Sequence, residues 1–200
     1  MAACAVSAPA LARSAAPPSP VFARSVVIAP VGGRVLVEVA GANSGFVRLT
    51  SPRAVPVGTV VDTTAGTVRL TSANPNRQIQ SGRFFRGIFR IEQRRSAGGL
   101  VNLAIRDNLA RSACATTATT ARSAAVNPKV LGLLRGTAKG RFRTTGRFAA
   151  ATVRGTDWGV RDRCDGTLTV VRRGVVVVRD FRLRKSVIVR AGQTYLAKAG

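Results

Sequence analysis

An all-β fold, mostly antiparallel and arranged as a sandwich or small barrel, is what this sequence predicts. Three observations carry the prediction. The apolar runs at 149–153, 167–171, 175–178 and 187–189 are rich in Val, Ala, Thr and Ile and too short for ordinary helices. Glycine or a charged cluster separates each from the next: Gly155, Asp165-Gly166, Gly174, the basic stretch 179–185 and Gly192. Earlier in the chain Val35, Val37 and Val39 alternate with other residues, the two-residue period of a strand. β-Branched side chains fit a pleated, half-buried surface, so no helix beyond one or two turns is expected.

The elements follow in order. Residues 1–31 read as a leader-like and Pro-rich disordered segment. Ala10-Leu11-Ala12 resembles a signal-peptidase site before Arg13, without the basic start of a complete signal, so an incomplete or mis-started signal peptide is expected. Ala15 to Pro20 (AAPPSP) reads as an extended linker. Residues 32–110 form a first β region, with strands expected at 34–39, 46–50, 58–62, 67–71, 83–92 and 100–106, a turn at 41–45, and Gly87 marking a bulge. Residues 111–136 are a low-complexity Ala/Thr/Ser loop with too few bulky apolar groups to bury, ending in a short strand or helix from Val130. Residues 137–200 form the second β region, and 32–200 are expected to make one compact domain. The spacing from Gly58 to Gly66 equals that from Gly166 to Gly174, which reads either as two related hairpins or as shared hairpin grammar.

Three pieces of the second β region stand in fixed order. They are Val153-Arg154-Gly155-Thr156-Asp157-Trp158-Gly159-Val160, then Gly166-Thr167-Leu168-Thr169-Val170 through Gly174-Val175-Val176-Val177, then Val187-Ile188-Val189-Arg190-Ala191-Gly192-Gln193. Together they resemble the FecR-like domain of bacterial cell-envelope proteins, in an Arg-rich actinobacterial form. The resemblance implies an extracytoplasmic, non-enzymatic all-β module, secreted or at the cell surface, with Gly155, Thr156, Trp158, Gly166, Thr167, Gly174 and Gly192 as structural motif residues. Trp158 is expected to be buried on the same strand face as Val160, Gly155 to sit where a side chain is not tolerated, and Thr156 to hydrogen-bond locally. No apolar run reaches the eighteen or so residues of a membrane span.

Charge and residue chemistry narrow the function classes. The net charge is +24, and only Lys129, Lys139, Lys185 and Lys198 are lysines, so arginine supplies nearly all of it. Such a surface attracts anionic partners without specifying one; the alternative is arginine enrichment by genome composition, with the charges simply solvated. With no histidine, the commonest general base and the Ser-His-Asp and Cys-His arrangements are absent. Asp157, Asp162 and Asp165 could form a Ca²⁺ site or a glycosidase acid pair, but interleaved arginines and the Asp165-Gly166 turn favour a structural reading. Neither an enzyme activity nor a metal or cofactor is expected.

Of the three cysteines, Cys4 lies in the leader-like segment, leaving Cys114 and Cys164 to pair as a disulfide in an oxidising compartment or to remain two free thiols; pairing is the preferred reading. In Phe181-Arg182-Leu183-Arg184-Lys185 the alternation sends Arg182 and Arg184 to one side of a strand and Phe181 and Leu183 to the other. Arg172 and Arg173 sit at the preceding Val171/Gly174 turn, so Arg172, Arg173, Arg182, Arg184 and Lys185 are the candidate polyanion patch. The expected function is an extracytoplasmic module that scaffolds or binds a cell-envelope protein, glycan or acidic polymer. The alternative is a basic nucleic-acid-binding protein, with Phe84, Phe85, Phe89 and Phe142 as base-stacking candidates.

Overall fold

The computed structural model describes residues 18–107, Cys114 and residues 129–199, and within them the fold is all-β. The strands are β1 (Ser25–Glu38), β2 (Val47–Arg48), β3 (Arg53–Pro56), β4 (Val60–Ala73), β5 (Ile79–Phe85), β6 (Ile88–Gln93), β7 (Val101–Arg106), β8 (Val130–Thr145), β9 (Ala149–Arg163), β10 (Gly166–Arg173), β11 (Val175–Asp180), β12 (Ser186–Arg190) and β13 (Thr194–Lys198). A 3₁₀ turn spans Arg95–Ala97, and no α-helix occurs among the described residues.

β4, β5, β8, β7 and β6 pair in a closed ring, a five-stranded barrel. Closure removes the exposed edges that an open sheet would carry. All strand pairs are antiparallel except β7 with β8. β1 extends the barrel along β4, with β2 and β3 on its outer side. β9 extends it along β8, and β10 and β11 follow one another along the far side of β9.

Local chemistry explains the long, bent strands. β9 and the β10–β11 run form one hairpin with Cys164-Asp165 at its tip. Midway, Gly155 (φ +73°) faces the break at Gly174 (φ +81°); Gly140 (φ +113°) stands at the same level on β8, and Gly192 (φ +82°) lies in the β12–β13 turn, its N–H donating to Val171 O. A left-handed backbone is cheap only for glycine, so Gly140 and Gly155 let β8 and β9 bend there without ending, while Gly174 separates β10 from β11 and Gly192 turns β12 into β13. Around Gly155 the space is open, so its backbone angle rather than crowding requires glycine; at Gly174 an added Cβ would also lie 2.7 Å from Thr156 Cγ2. Gly166 is a close-approach residue instead, with Ala197 O 2.2 Å from where a Cβ would stand.

The core runs without interruption from Val26 to Ala197. Its centre is a cross-strand row: Val68 opposite Phe84, Phe84 opposite Gly136, Gly136 opposite Trp158 and Trp158 opposite Val171. Phe84 lies 5.9, 5.5 and 6.1 Å, ring centre to ring centre, from Phe89, Phe142 and Trp158. Gly82 and Gly136 leave room for its ring, since a Cβ at either would come within 2.6 Å of it. Trp158 is buried as expected, and its indole N–H donates to Thr144 Oγ1 at 3.0 Å.

The structure moves several sequence-level boundaries. Residues 1–17 of the leader-like segment lie outside the described residues, but β1 already begins at Ser25 and places Val26 and Ile28 in the core. The 111–136 loop gives way to β8 at Val130; residues 108–113 and 115–128 lie outside the described residues. At Arg86-Gly87 the expected 83–92 strand divides into β5 and β6, because Gly87 packs where a Cβ would meet Leu133 O. The 46–50 strand shrinks to Val47–Arg48. The two Gly-to-Gly segments are not related hairpins: Gly66 lies inside continuous β4, against Gly33, whereas Gly174 separates β10 from β11. Equal spacing in sequence therefore carried no equal geometry.

Candidate polyanion-binding site

One residue along from the core row, the same five strands present a second row on the outer face. Arg69 is opposite Arg83, Arg83 opposite Thr137, Thr137 opposite Asp157 and Asp157 opposite Arg173. Successive residues of a strand face opposite sides, so the register that buries Trp158 turns Asp157 and its row toward solvent. With strands about 4.8 Å apart, the row from β4 to β10 spans roughly 19 Å. It opens into a cleft of about 630 Å³ lined by Arg69, Ser81, Arg83, Lys139, Asp157 and Arg173, among others.

The electrostatics of this cleft are unbalanced. Among the described residues the only ion pair is Arg163–Asp165, at the β9–β10 tip, where the Arg163 guanidinium draws the Asp165 carboxyl below its ordinary value. Arg69 and Arg83 therefore stand directly across from each other with no carboxylate between them. Like charges placed so are destabilising, and an anion laid along the row relieves the repulsion. Guanidinium groups hold phosphate or carboxylate oxygens in pairs, and Lys139 adds a point charge. Asp157 Oδ1 is buried without a hydrogen-bond partner, as is Thr156 Oγ1, so the local bond expected for Thr156 is absent.

The sequence-derived patch divides. Arg173 lines the cleft, and Arg172 stands beside it in the β9–β10 register shift. Arg182, Arg184 and Lys185 lie at the other end of β11, a six-residue strand about 20 Å long. Residues 181–185 do not continue the strand: they form the β11–β12 turn, so Phe181 and Leu183 do not alternate inward and are 44% and 49% exposed. Asp180 shapes this turn by accepting the Leu183 N–H at 2.8 Å and the Tyr195 O–H at 2.9 Å. The cleft residues Arg69, Arg83 and Lys139 were not among the sequence candidates. Their only trace in the sequence is an arginine or lysine beside a core residue: Arg69 after Val68, Arg83 before Phe84, Lys139 after Ala138.

Asp157, Asp162 and Asp165 do not gather. Asp162 is five residues from Asp157 and faces inward, buried, where it accepts the Arg147 N–H at 3.0 Å and the Thr167 hydroxyl, fastening the β8–β9 turn. Thr167 in turn accepts the Phe148 N–H. Burial, the largest influence, raises the Asp162 carboxyl above its ordinary value despite those bonds. For Asp180 burial also pushes upward most, but the bonds from Leu183, Tyr195 and Arg182 together outweigh it and the carboxyl lies below its ordinary value.

The two acids should therefore leave opposite pH signatures. A carboxyl raised by folding stabilises below its unfolded pKa, and that contribution is lost as pH rises through the folded value. A lowered one stabilises above its unfolded pKa and is lost as pH falls through the folded value. In thermal melts from about pH 3 to about pH 7, the deficit of Asp162→Asn should shrink as pH rises, and that of Asp180→Asn should shrink as pH falls. Parallel curves for the two variants would contradict these environments.

The expected disulfide is present: Cys114 and Cys164 are bonded with Cα atoms 5.5 Å apart, joining Cys114 to the β9–β10 tip. Among the described residues no helix is long and apolar enough to cross a membrane. Of the stacking candidates, Phe84, Phe89 and Phe142 are wholly inside the core; Phe85 is half-buried on the outer face, with the Arg135 guanidinium 5.2 Å from its ring centre. Compared with known proteins, the chain matches no family profile, no curated protein and no solved structure.

Proposed function

We propose that this protein is a non-catalytic, FecR-like β module of the cell envelope that holds a linear acidic polymer along the cationic row on β4, β5, β8, β9 and β10. The observation that carries the reading is the Arg69–Arg83 opposition in a row that ends at Arg173, with no ion pair to any of the three among the described residues. The row's length of about 19 Å suits a chain of repeated charges better than one small anion. The Cys114–Cys164 disulfide fits an oxidising compartment and hence an extracytoplasmic location. A base-stacking surface would need several exposed aromatics, and three of the four candidates are committed to the core.

The test compares two triple variants with equal loss of charge. Arg69→Ser/Arg83→Ser/Arg173→Ser removes the row; Arg24→Ser/Arg48→Ser/Arg53→Ser removes exposed charges near β1, β2 and β3. On an immobilised acidic polymer such as polyglutamate or a polyphosphodiester, the row variant should elute at much lower salt. Its salt dependence should be shallower by about one contact per arginine removed, with the melting temperature little changed. Equal losses in both variants would show the charge acting diffusely and end the reading. Fractionation of the producing cells tests the location: recovery in the cytoplasm with both cysteines reduced would remove the envelope assignment.

A further inference from the structure

We propose that the turn at residues 181–185 docks on an anionic lipid surface, with Phe181 and Leu183 entering the headgroup layer and the basic groups around them meeting lipid phosphates. This concerns a different surface from the cationic row and does not depend on it.

The turn displays two large apolar side chains, and it is built to do so. Asp180 accepts the Leu183 N–H with one oxygen and the Tyr195 hydroxyl with the other. The Asp180 N–H donates to Lys185 O at 2.9 Å, and the Phe181 N–H donates to Phe148 O at 3.0 Å, tying the turn to the neighbouring β8–β9 turn. Arg184 has φ +50°, a backbone conformation that a non-glycine residue keeps only where its surroundings impose it. Phe181 and Leu183 are therefore held out at 44% and 49% exposure instead of folding back onto the sheet.

Cations surround them. Arg182, Arg184 and Lys185 belong to the turn itself. Beside Phe181 a cleft of about 370 Å³ opens, lined by Arg94, Arg143 and Arg179. Its one carboxylate, Glu92, accepts the Asn102 side-chain amide. None of these six cations has an ion-pair partner among the described residues. An apolar tip with a basic collar is the surface that settles at a membrane interface: the apolar groups leave water while the cations stay with anionic headgroups.

An acidic protein segment fits less well. The tip is a projecting turn rather than a groove, and the adjoining edge strand β12 is only five residues long and closed at one end. Gln193 closes the end of β12, its side-chain oxygen accepting the Arg190 N–H and its own N–H donating to Arg190 O.

The experiment uses vesicles of equal parts phosphatidylglycerol and phosphatidylcholine. Because the protein is strongly cationic everywhere, binding alone is insufficient and insertion must be read. Phe181→Trp places an exposed indole at the tip, distinct from buried Trp158. Its emission should shift to the blue and be quenched by brominated acyl chains. Phe181→Ser/Leu183→Ser should weaken vesicle affinity about tenfold or more, with an unchanged melting temperature and unchanged retention on the acidic polymer. Arg69→Ser/Arg83→Ser/Arg173→Ser should bind vesicles nearly as the parent does. Binding without quenching at position 181, or a double serine variant that binds like the parent, would show attraction by net charge alone and overturn the proposal. So would vesicle binding lost in the row variant but kept in the double serine variant.

Discussion

Truncating Trp158 to alanine should destabilise the protein by about 3–5 kcal/mol, lowering the melting midpoint by roughly 6–20 °C for a domain of this size. The indole is 1% exposed and packs edge-on against Phe84, the ring that also touches Phe89 and Phe142. Of its two cross-strand neighbours, Gly136 has no side chain to move into the cavity and Val171 is itself held in the core. The structure around the void can therefore relax little, and the cost should fall in the upper part of that range. Thr144→Val is the companion variant: it keeps the shape but leaves the indole N–H without its acceptor, and should cost about 1–3 kcal/mol. Denaturant unfolding measures both. A Trp158→Ala cost below about 1 kcal/mol would mean that the ring does not hold this sheet to the core.

Breaking the Cys114–Cys164 bond should cost about 2–4 kcal/mol, because the cross-link restricts the unfolded chain over a span of 50 residues. Cys114→Ser/Cys164→Ser and the reduced parent should melt at the same lowered temperature, and reductant should not affect the double variant. The bond anchors Cys114 beside the Arg163–Asp165 pair at the β9–β10 tip, away from both the cationic row and the 181–185 turn. Polymer retention should therefore survive at temperatures where the variant is folded. A melting temperature indifferent to reductant would mean that the bond adds no constraint to the unfolded chain.

Much of the fold was legible because its signals are local. Val35, Val37, the runs at 149–153 and 175–178, and the glycines between them describe strands and bends through properties of neighbouring residues. The burial of Trp158 was expected from the motif resemblance, and the two-residue period puts it on the same strand face as Val160. The boundaries that moved did so where a longer-range contact overrode a local reading. The prolines before β1 and the low-complexity stretch before β8 look like linker, yet Val26, Ile28, Leu131 and Leu134 lie in the interior. The 181–185 stretch alternates like a strand but turns, because the Asp180 carboxylate caps the Leu183 N–H.

By itself, then, the chain determined an all-β domain and a strongly basic surface, favoured a Cys114–Cys164 link over two free thiols, and through its motif resemblance pointed to a buried Trp158. Each depends on composition, period or the chemistry of a few residues. Only the tertiary structure decided that the barrel closes through β4, β5, β8, β7 and β6, and that Arg69, Arg83, Lys139 and Arg173 line one cleft while Arg182, Arg184 and Lys185 surround another tip. The reason is register. A strand's alternation says which residues share a face, but not which residue of another strand lies opposite, and a slip of one position would exchange the Phe84–Trp158 row for the Arg83–Asp157 row.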